Sequence, residues 1–422
     1  MRSLFLILIT LLSAGLSIAQ NVCTLKGKII NRDSKVILLR RSTDGIKLFM
    51  NNPLKLPIRN GAFKFSFNFK QSEAYELIFE DELEQGSWIP VRFFSEKGEI
   101  NFTLYPKNEY KKNIVIGGRL NSLYAEYLSN IEKQFSDKKS QLFRLRDSLL
   151  KNDVYDSDEY KSLLLKLRAI KSDDQDEKVP IYQKMDELQK TYACYTEIAK
   201  SLFVFPYDSL IKEEVSWKYN YIKNNISLVA YYLLYFDVET QMKANPLLPK
   251  LVEEVFPIYA EKYPDHIYTK NSKVQLEGLR AIRVGNKFAD LKAPYVLGDS
   301  AMLSNLIRNK IALIDFWGSW CGPCIAKSRL VVPIYEQYRT KGFEVVGIAR
   351  EFENLNALKE RLTKEKFSWP HLFDLNDQLG IWKTYGINNG VGMMVLVDRD
   401  GTILAIDPKA DELAKILAIK LN

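Results

Sequence analysis

The 422-residue chain carries four cysteines, two histidines and a formal charge of +8. So few Cys and His leave no second ligand pair for a structural zinc site, which takes four ligands at clustered spacing. The modest basicity is spread without a cluster suited to nucleic acid, no stretch after the N-terminal segment is apolar enough to span a bilayer, and the length predicts two or three domains.

Residues 1–20, MRSLFLILITLLSAGLSIAQ, place one Arg ahead of an apolar run ending in Ser17-Ile18-Ala19. Small residues at both cleavage positions read as a secretory signal, residues 1–19, cleaved after Ala19. The run is too short and its exit too polar for a comfortable span, so the expectation is a periplasmic protein with no stable membrane insertion. Cys23 follows Val22, whereas a lipid-modified cysteine follows a small residue. Losing Arg2 lowers the charge from +8 to +7.

From residue 20 to 118 the pattern is β. Phe63, Phe65, Phe67 and Phe69 alternate with polar residues, the period of a half-buried strand, and Asn60-Gly61 ahead of them signals a turn. Further strand-like runs are Lys35–Arg41, Tyr75–Glu80, Trp88–Phe94, Glu99–Tyr105 and Asn113–Ile116. Short strands at this spacing predict a small antiparallel β-sandwich, with the Phe stripe in its core.

Residues 119–283 turn helical. Leu142, Leu145 and Leu149 share one face, as do Ile181, Met185, Leu188, Tyr192 and Tyr195. The charged run Lys171–Lys178, followed by Pro180, predicts a solvated connection, and Ser227–Phe236 is notably apolar and aromatic. These helices read as a segment packing on its neighbours. Cys194 falls on an apolar face and is expected to be buried and inert, or else bridged to Cys23.

The last segment, 284–422, alternates strands and helices. Ile311–Phe316 is a strand, then a helix after Cys324 runs to about Lys341, Phe343–Ala349 is a second strand, and Asn354–Lys366 a second helix. A hairpin turns at Asp398-Arg399-Asp400-Gly401, and Ala410–Leu421 closes with Leu413, Ile416, Leu417 and Leu421 inward. This order predicts an α/β sheet. Between strand and helix lies DFWGSWCGPC, residues 315–324. Two thiols three positions apart at a helix start can close and reopen a small disulfide ring, and the helix N-terminus favours thiolate, the attacking species in disulfide exchange. A c-type haem would need His at 325, which is Ile325.

DFWGSWCGPC resembles the active-site segment of the thioredoxin superfamily, and the chain resembles the secreted TlpA/ResA-like thioredoxins; the part before residue 119 resembles a β-rich domain of unknown function found ahead of such modules. The resemblance implies a thioredoxin-like fold over 284–422. It makes Cys321 the exposed nucleophile, Cys324 the resolving thiol and Asp315 a buried carboxylate that moves a proton at that thiol. Trp320, Gly322 and Pro323 flank the site, and Gly322-Pro323 is the dipeptide of reducing members. Three positions depart from the pattern. Arg329 stands where a kinking proline is usual, with Pro333 a turn later, and Lys327 stands where relatives carry an acid. In the substrate loop Val391 and Gly392 occupy the place of the family's cis X-Pro pair, with Asn388 and Asn389 just before. The implied function is a periplasmic reductant of protein disulfides that needs no cofactor or metal beyond its own Cys321–Cys324 pair and takes electrons from a membrane-bound donor. The alternative is a binding module on the same scaffold with weak or no turnover.

Overall fold

The computed structural model describes residues 21–44, 53–170, 175–242, 245–296, 298–387 and 392–421. The expected signal peptide and Val391 lie outside these residues, as do Asn388 and Asn389. The chain divides into two compact units, Met1–Leu39 with Lys55–Ser122 and Arg40–Leu54 with Leu123–Asn422.

The first region holds strands β1 (Asn21–Ile29), β2 (Val36–Arg41), β3 (Leu54–Pro57), β4 (Ala62–Phe69) and β5 (Ala74–Phe79). A short helix α1 (Glu80–Glu84) precedes β6 (Val91–Phe94), β7 (Gly98–Leu104) and β8 (Ile114–Ile116). They form two four-stranded sheets, β4-β1-β7-β8 and β3-β2-β5-β6. One core joins Leu25, Phe63, Ile100 and Phe102 of the first sheet to Ile37, Leu77, Phe79 and Phe93 of the second. Phe67 packs on Tyr75 and Phe93 on Phe102 across it. The Phe stripe is therefore core, Phe63 wholly and its successors partly. Asn60 and Gly61 take φ of +50° and +67°, the left-handed turn their sequence signals. One pair departs from the antiparallel expectation: β1 runs parallel to β7 while pairing antiparallel with β4.

The helices that follow are α2 (Arg119–Lys151), α3 (Asp158–Ala169), α4 (Gln175–Lys190) and α5 (Glu197–Ala199), the last running through a π-turn into α6 (Phe205–Asn224). Then come α7 (Leu228–Thr240), α8 (Leu248–Lys262) and α9 (Ile267–Ala281). Leu149 and Leu142 pack inward, but Leu145, at the margin of the same stripe, is exposed. Pro180 lies inside α4, so the second half of the charged run is helix and not connection. Tyr192 (φ +59°) and Cys194 belong to the turn after α4, not to its face. Helix α7 is buried on nearly every side, which is why its sequence is apolar all round. Ser227 caps it by accepting the Ala230 N–H at 3.2 Å. Tyr231 stacks on Tyr259 and Tyr263. Cys23 and Cys194 are both buried and both free, so no bridge joins them; burial pushes the Cys23 thiol up to about 11 and Cys194 upward as well.

The C-terminal part starts with a two-stranded ribbon, β9 (Lys292–Pro294) and β10 (Ser300–Met302), and helix α10 (Leu303–Leu306). It continues with β11 (Ile311–Trp317), α11 (Gly322–Tyr338), β12 (Phe343–Glu351), α12 (Asn356–Glu365), β13 (His371–Leu375), α13 (Ile381–Thr384), β14 (Met394–Val397), β15 (Ile403–Ile406) and α14 (Ala410–Leu421). The sheet order is β13-β12-β11-β14-β15, parallel through the first three strands and antiparallel from β11 to β14 and β15. Every residue of β11 and β12 is buried, as expected of strands covered on both faces. Alternation along β11 sends Ile311, Leu313 and Trp317 to the core under α11 and α14, and Ala312, Ile314 and Phe316 to the opposite core with Trp382 and Tyr385. Asp315 falls between Leu313 and Trp317 in that alternation, so it faces α11.

Helix α9 docks against α13. Gln275 donates to the Gly386 carbonyl at 3.1 Å, and a Cβ at Gly278 would lie 2.4 Å from the Lys383 carbonyl oxygen and 2.6 Å from the Gly386 nitrogen. Both obstacles are backbone, so neither can swing aside. Gly278→Ala is expected to destabilise this packing by about 1–3 kcal/mol, seen as a lower urea midpoint. An unchanged midpoint would mean that the two elements separate at no cost.

Candidate active site

Cys321 and Cys324 form a disulfide with Cα atoms 5.3 Å apart. The ring exists because β11 ends at Trp317 and the chain turns through Gly318, Ser319 and Trp320 directly into α11. Cys321 is the residue that caps α11: its sulfur accepts the Cys324 N–H at 3.3 Å. The helix thus directs a free backbone donor at the first sulfur, as the sequence predicts. The second sulfur accepts a different donor, the Gly392 N–H, at 3.3 Å.

Cys321 is not the exposed sulfur that the resemblance implied. It is only 3% exposed, as is Cys324, whereas Trp320 is 46% exposed and Gly322 and Pro323 face solvent. Capping turns the Cys321 side chain back over the first turn of α11, which buries its sulfur while leaving the Gly-Pro corner outside.

Asp315 faces α11 with 2% exposure, and burial pushes its carboxyl up to about 7. Ser328 and, more weakly, Lys327 oppose this shift, while Asp407 adds to it. The Ser328 hydroxyl lies 2.6 Å from Asp315 Oδ2 and 3.0 Å from the Cys324 carbonyl oxygen, and its single proton can serve one of them at a time. With Asp315 ionised, Ser328 donates to the carboxylate. With Asp315 protonated, the carboxyl can donate to Ser328, whose own proton is then free for the Cys324 carbonyl. The charge state of Asp315 is thereby coupled to the first turn of α11.

Lys327 does not reach the sulfurs. Its ammonium pairs with Asp407 at 3.3 Å in a largely solvated position. Asp407 also accepts the Met394 N–H at 3.0 Å, at the start of β14. Arg329, in the place of a kinking proline, makes a two-pronged pair with Glu365 at 2.6 and 2.9 Å, and Pro333 sits within α11.

Glu351, which no sequence signal marks, and Trp320 both shape the site. Glu351, at the end of β12, is buried and accepts both the Ser319 N–H and the Ser319 hydroxyl at 2.7 Å. Burial raises its pKa against the opposing pull of those two bonds. The Trp320 indole donates to the Arg350 carbonyl at 2.9 Å and packs beside Phe352 and Trp382. The loop between β11 and α11 is thus tied to the end of β12 at consecutive residues. Glu351→Ala is expected to cost about 2–4 kcal/mol, since two buried donors on Ser319 lose a charged acceptor. It should also speed reduction of the disulfide by dithiothreitol. Wild-type midpoints and wild-type reduction rates together would show that the tie is idle.

This is the C-terminal architecture and the paired-sulfur helix start of a thioredoxin-like module. Residues 283–416 match the Redoxin family. Over 97 residues the chain is 27% identical to a thiol-disulfide oxidoreductase ResA of Bacillus thuringiensis subsp. konkukian, covering 23% of this chain and 54% of that protein. Over 108 residues it is 31% identical to a thiol:disulfide interchange protein DsbE of Pseudomonas fluorescens biotype C, covering 26% and 55%. The chain spans about half the length of the curated relatives it matches. A crystal structure of a thiol:disulfide interchange protein DsbE from Chlorobium tepidum aligns at 26% identity with a TM-score of 0.30, over 33% of this chain and 99% of that one. The Redoxin match lies in the C-terminal segment, and over the aligned lengths the chain is similar to thiol–disulfide oxidoreductases. Among the described residues no helix is long and apolar enough to cross a membrane.

Proposed function

We propose that the chain reduces protein disulfides outside the cytoplasm through Cys321 and Cys324. The observation that carries this reading is the pair itself: two bonded sulfurs at the start of α11, each accepting one backbone N–H. A sulfur held this way leaves readily as thiolate and attacks readily as one. In the reducing direction the Cys321 thiolate attacks a substrate disulfide, forming a mixed disulfide and expelling a substrate thiolate. Cys324 then attacks Cys321 Sγ, re-forming the ring and releasing the second substrate sulfur. Asp315, half ionised near neutral pH, accepts the Cys324 proton as the ring closes and returns it when the ring is reopened. No group beyond the disulfide is required by this chemistry. A thiol donor must reopen the ring, and a membrane-bound protein is the proposed source. The Gly322-Pro323 corner supports the reducing direction, and the signal-like residues 1–19 support the periplasm. Equilibration in glutathione buffers tests the direction. The expected potential is about −270 mV, as in thioredoxin, and a value near −120 mV, that of a strong disulfide-forming oxidant, would overturn it.

A second reading, a binding module with little turnover, draws on the burial of Cys321 at 3% exposure. It predicts a pair that stays oxidised when the protein is offered thiols and an unfolded disulfide substrate together.

A further inference from the structure

The two sulfurs do not obtain their hydrogen bonds from the same part of the fold. Cys321 Sγ is served by α11, through the Cys324 N–H. Cys324 belongs to the first turn of that helix, and its own sulfur is served by Gly392, in the segment leading into β14. Gly392 sits two residues before β14, where the backbone is pinned against β11: the Phe316 N–H donates to the Met393 carbonyl at 2.9 Å, and Asp315 pairs with Met394. The fit there leaves no room for a side chain. A Cβ at 392 would lie 1.7 Å from the Phe316 carbonyl oxygen, a backbone atom, and 3.2 Å from Cys324 Sγ. Glycine is what lets an N–H come this close to the sulfur.

We propose that Gly392 is a positioning residue for the dithiol, its backbone N–H holding the negative charge that Cys324 Sγ carries whenever the ring opens or closes. The proposal rests on the redox reading of the pair. When a donor thiolate attacks Cys321 Sγ, a new S–S bond forms there, the Cys321–Cys324 bond breaks, and its electron pair leaves on Cys324 Sγ. In the opposite direction Cys324 must be thiolate before it can attack Cys321 Sγ and expel the substrate sulfur. Either way the charge appears on a sulfur that is 3% exposed and so has little water to stabilise it. A buried anion without a donor is strongly disfavoured, and a hydrogen bond to a charged acceptor is about twice as strong as a neutral one. The Gly392 N–H is already aimed at the atom where charge develops, so no reorganisation is needed. Proline at 392 would remove this donor and place a Cβ against Phe316; alanine would keep the donor but push it away.

Two measurements on the full chain test this. In the first, Cys321→Ser leaves Cys324 as the single thiol of the pair, and its thiolate absorbance is followed against pH, with Cys321→Ser/Cys324→Ser subtracted. Exchanging the amide between residues 391 and 392 for an ester, by placing glycolic acid at 392, removes the N–H without adding an atom at Cβ. The thiolate fraction of Cys324 is expected to fall about ten- to a hundredfold at a given pH, a midpoint shift of roughly one to two units. An unchanged midpoint overturns the proposal. The second needs no ester. In the reduced Cys321→Ser protein labelled with ¹⁵N-glycine, the Gly392 amide proton is expected to move downfield with the same midpoint as the Cys324 thiolate. A resonance indifferent to that titration overturns the proposal even if the ester chain does not fold. Failure of the wild-type protein to turn over any disulfide would defeat the redox reading and leave both titrations as they are, so the two failures are distinct.

Discussion

Cys324→Ser is expected to abolish internal resolution of the mixed disulfide while preserving the first attack. Cys321 keeps its place at the head of α11, where the N–H of residue 324 still points at its sulfur. It can therefore still open a substrate disulfide. The second sulfur is then missing, and the Cys321–substrate bond has no internal thiolate to break it. The variant should accumulate a mixed disulfide, visible as a stable mass increase that dithiothreitol removes, and steady-state reduction should drop to the slow rate at which that external thiol opens the bond. Cys321→Ser should lose both steps and trap nothing. If Cys324→Ser reduced substrate at the wild-type rate, or if Cys321→Ser trapped substrate instead, the roles of the two sulfurs would have to be exchanged or abandoned.

The second large effect is a pH dependence of stability centred on Asp315. Its folded pKa is raised to about 7, whereas an unfolded aspartate titrates near 3.9. Between these values the folded protein holds a proton that the unfolded chain has lost. Stability rises with pH only where the unfolded state binds more protons, so here it falls. The contribution is fully present below about pH 4, shrinks as pH rises, and is gone above about pH 7. Three pH units correspond to on the order of 4 kcal/mol. Asp315→Asn keeps a partner for Ser328 but cannot ionise. The oxidised variant is expected to gain stability relative to wild type as pH rises from about 4 to 7, and to follow a flat offset above that. Parallel urea-stability curves across this range would sink the assignment. Ring closure by Cys324 should also slow in the variant, because the buried carboxylate proposed to accept its proton is gone.

The C-terminal fold was the most legible part of the sequence. Its strands are either continuous buried runs, such as Phe343–Ala349 within β12, or a hairpin marked by Asp-Gly, and its last helix buries Leu413 and Leu417 as the spacing predicts. The β-rich region was less so. Strand β1, which is paired on both sides, carries no clear signal because Gly27 interrupts its alternation. That glycine is required by packing, since a Cβ there would lie 1.9 Å from the Phe63 ring. In the helical part the apolar periodicity marks α2 but puts the exposed Leu145 on its buried face, and it extends α4 through Tyr192 and Cys194, which form a turn.

At the site, Cys321 and Cys324 were legible because their spacing fixes their geometry within one turn. Asp315 came through resemblance, and strand alternation independently turns it toward α11. Ser328 could have been found: it lies four residues after Cys324 on the same helix face. Glu351 could not, because only the parallel pairing of β12 with β11 brings it to Ser319, thirty-two positions away. In the sequence Gly392 stands out only as a missing proline. The reason for a glycine, an N–H against one sulfur and no space for a Cβ, is visible only once β14 is laid beside β11.

The most direct measurement is steady-state reduction of insulin-type disulfides by the full chain at substoichiometric concentration, with dithiothreitol as electron source. Many turnovers per molecule are expected, lost in Cys321→Ser and limited in Cys324→Ser to the slow rate at which dithiothreitol opens the mixed disulfide. Reduction no faster than dithiothreitol alone, from a folded protein whose Cys321–Cys324 disulfide is intact at the start, would contradict it.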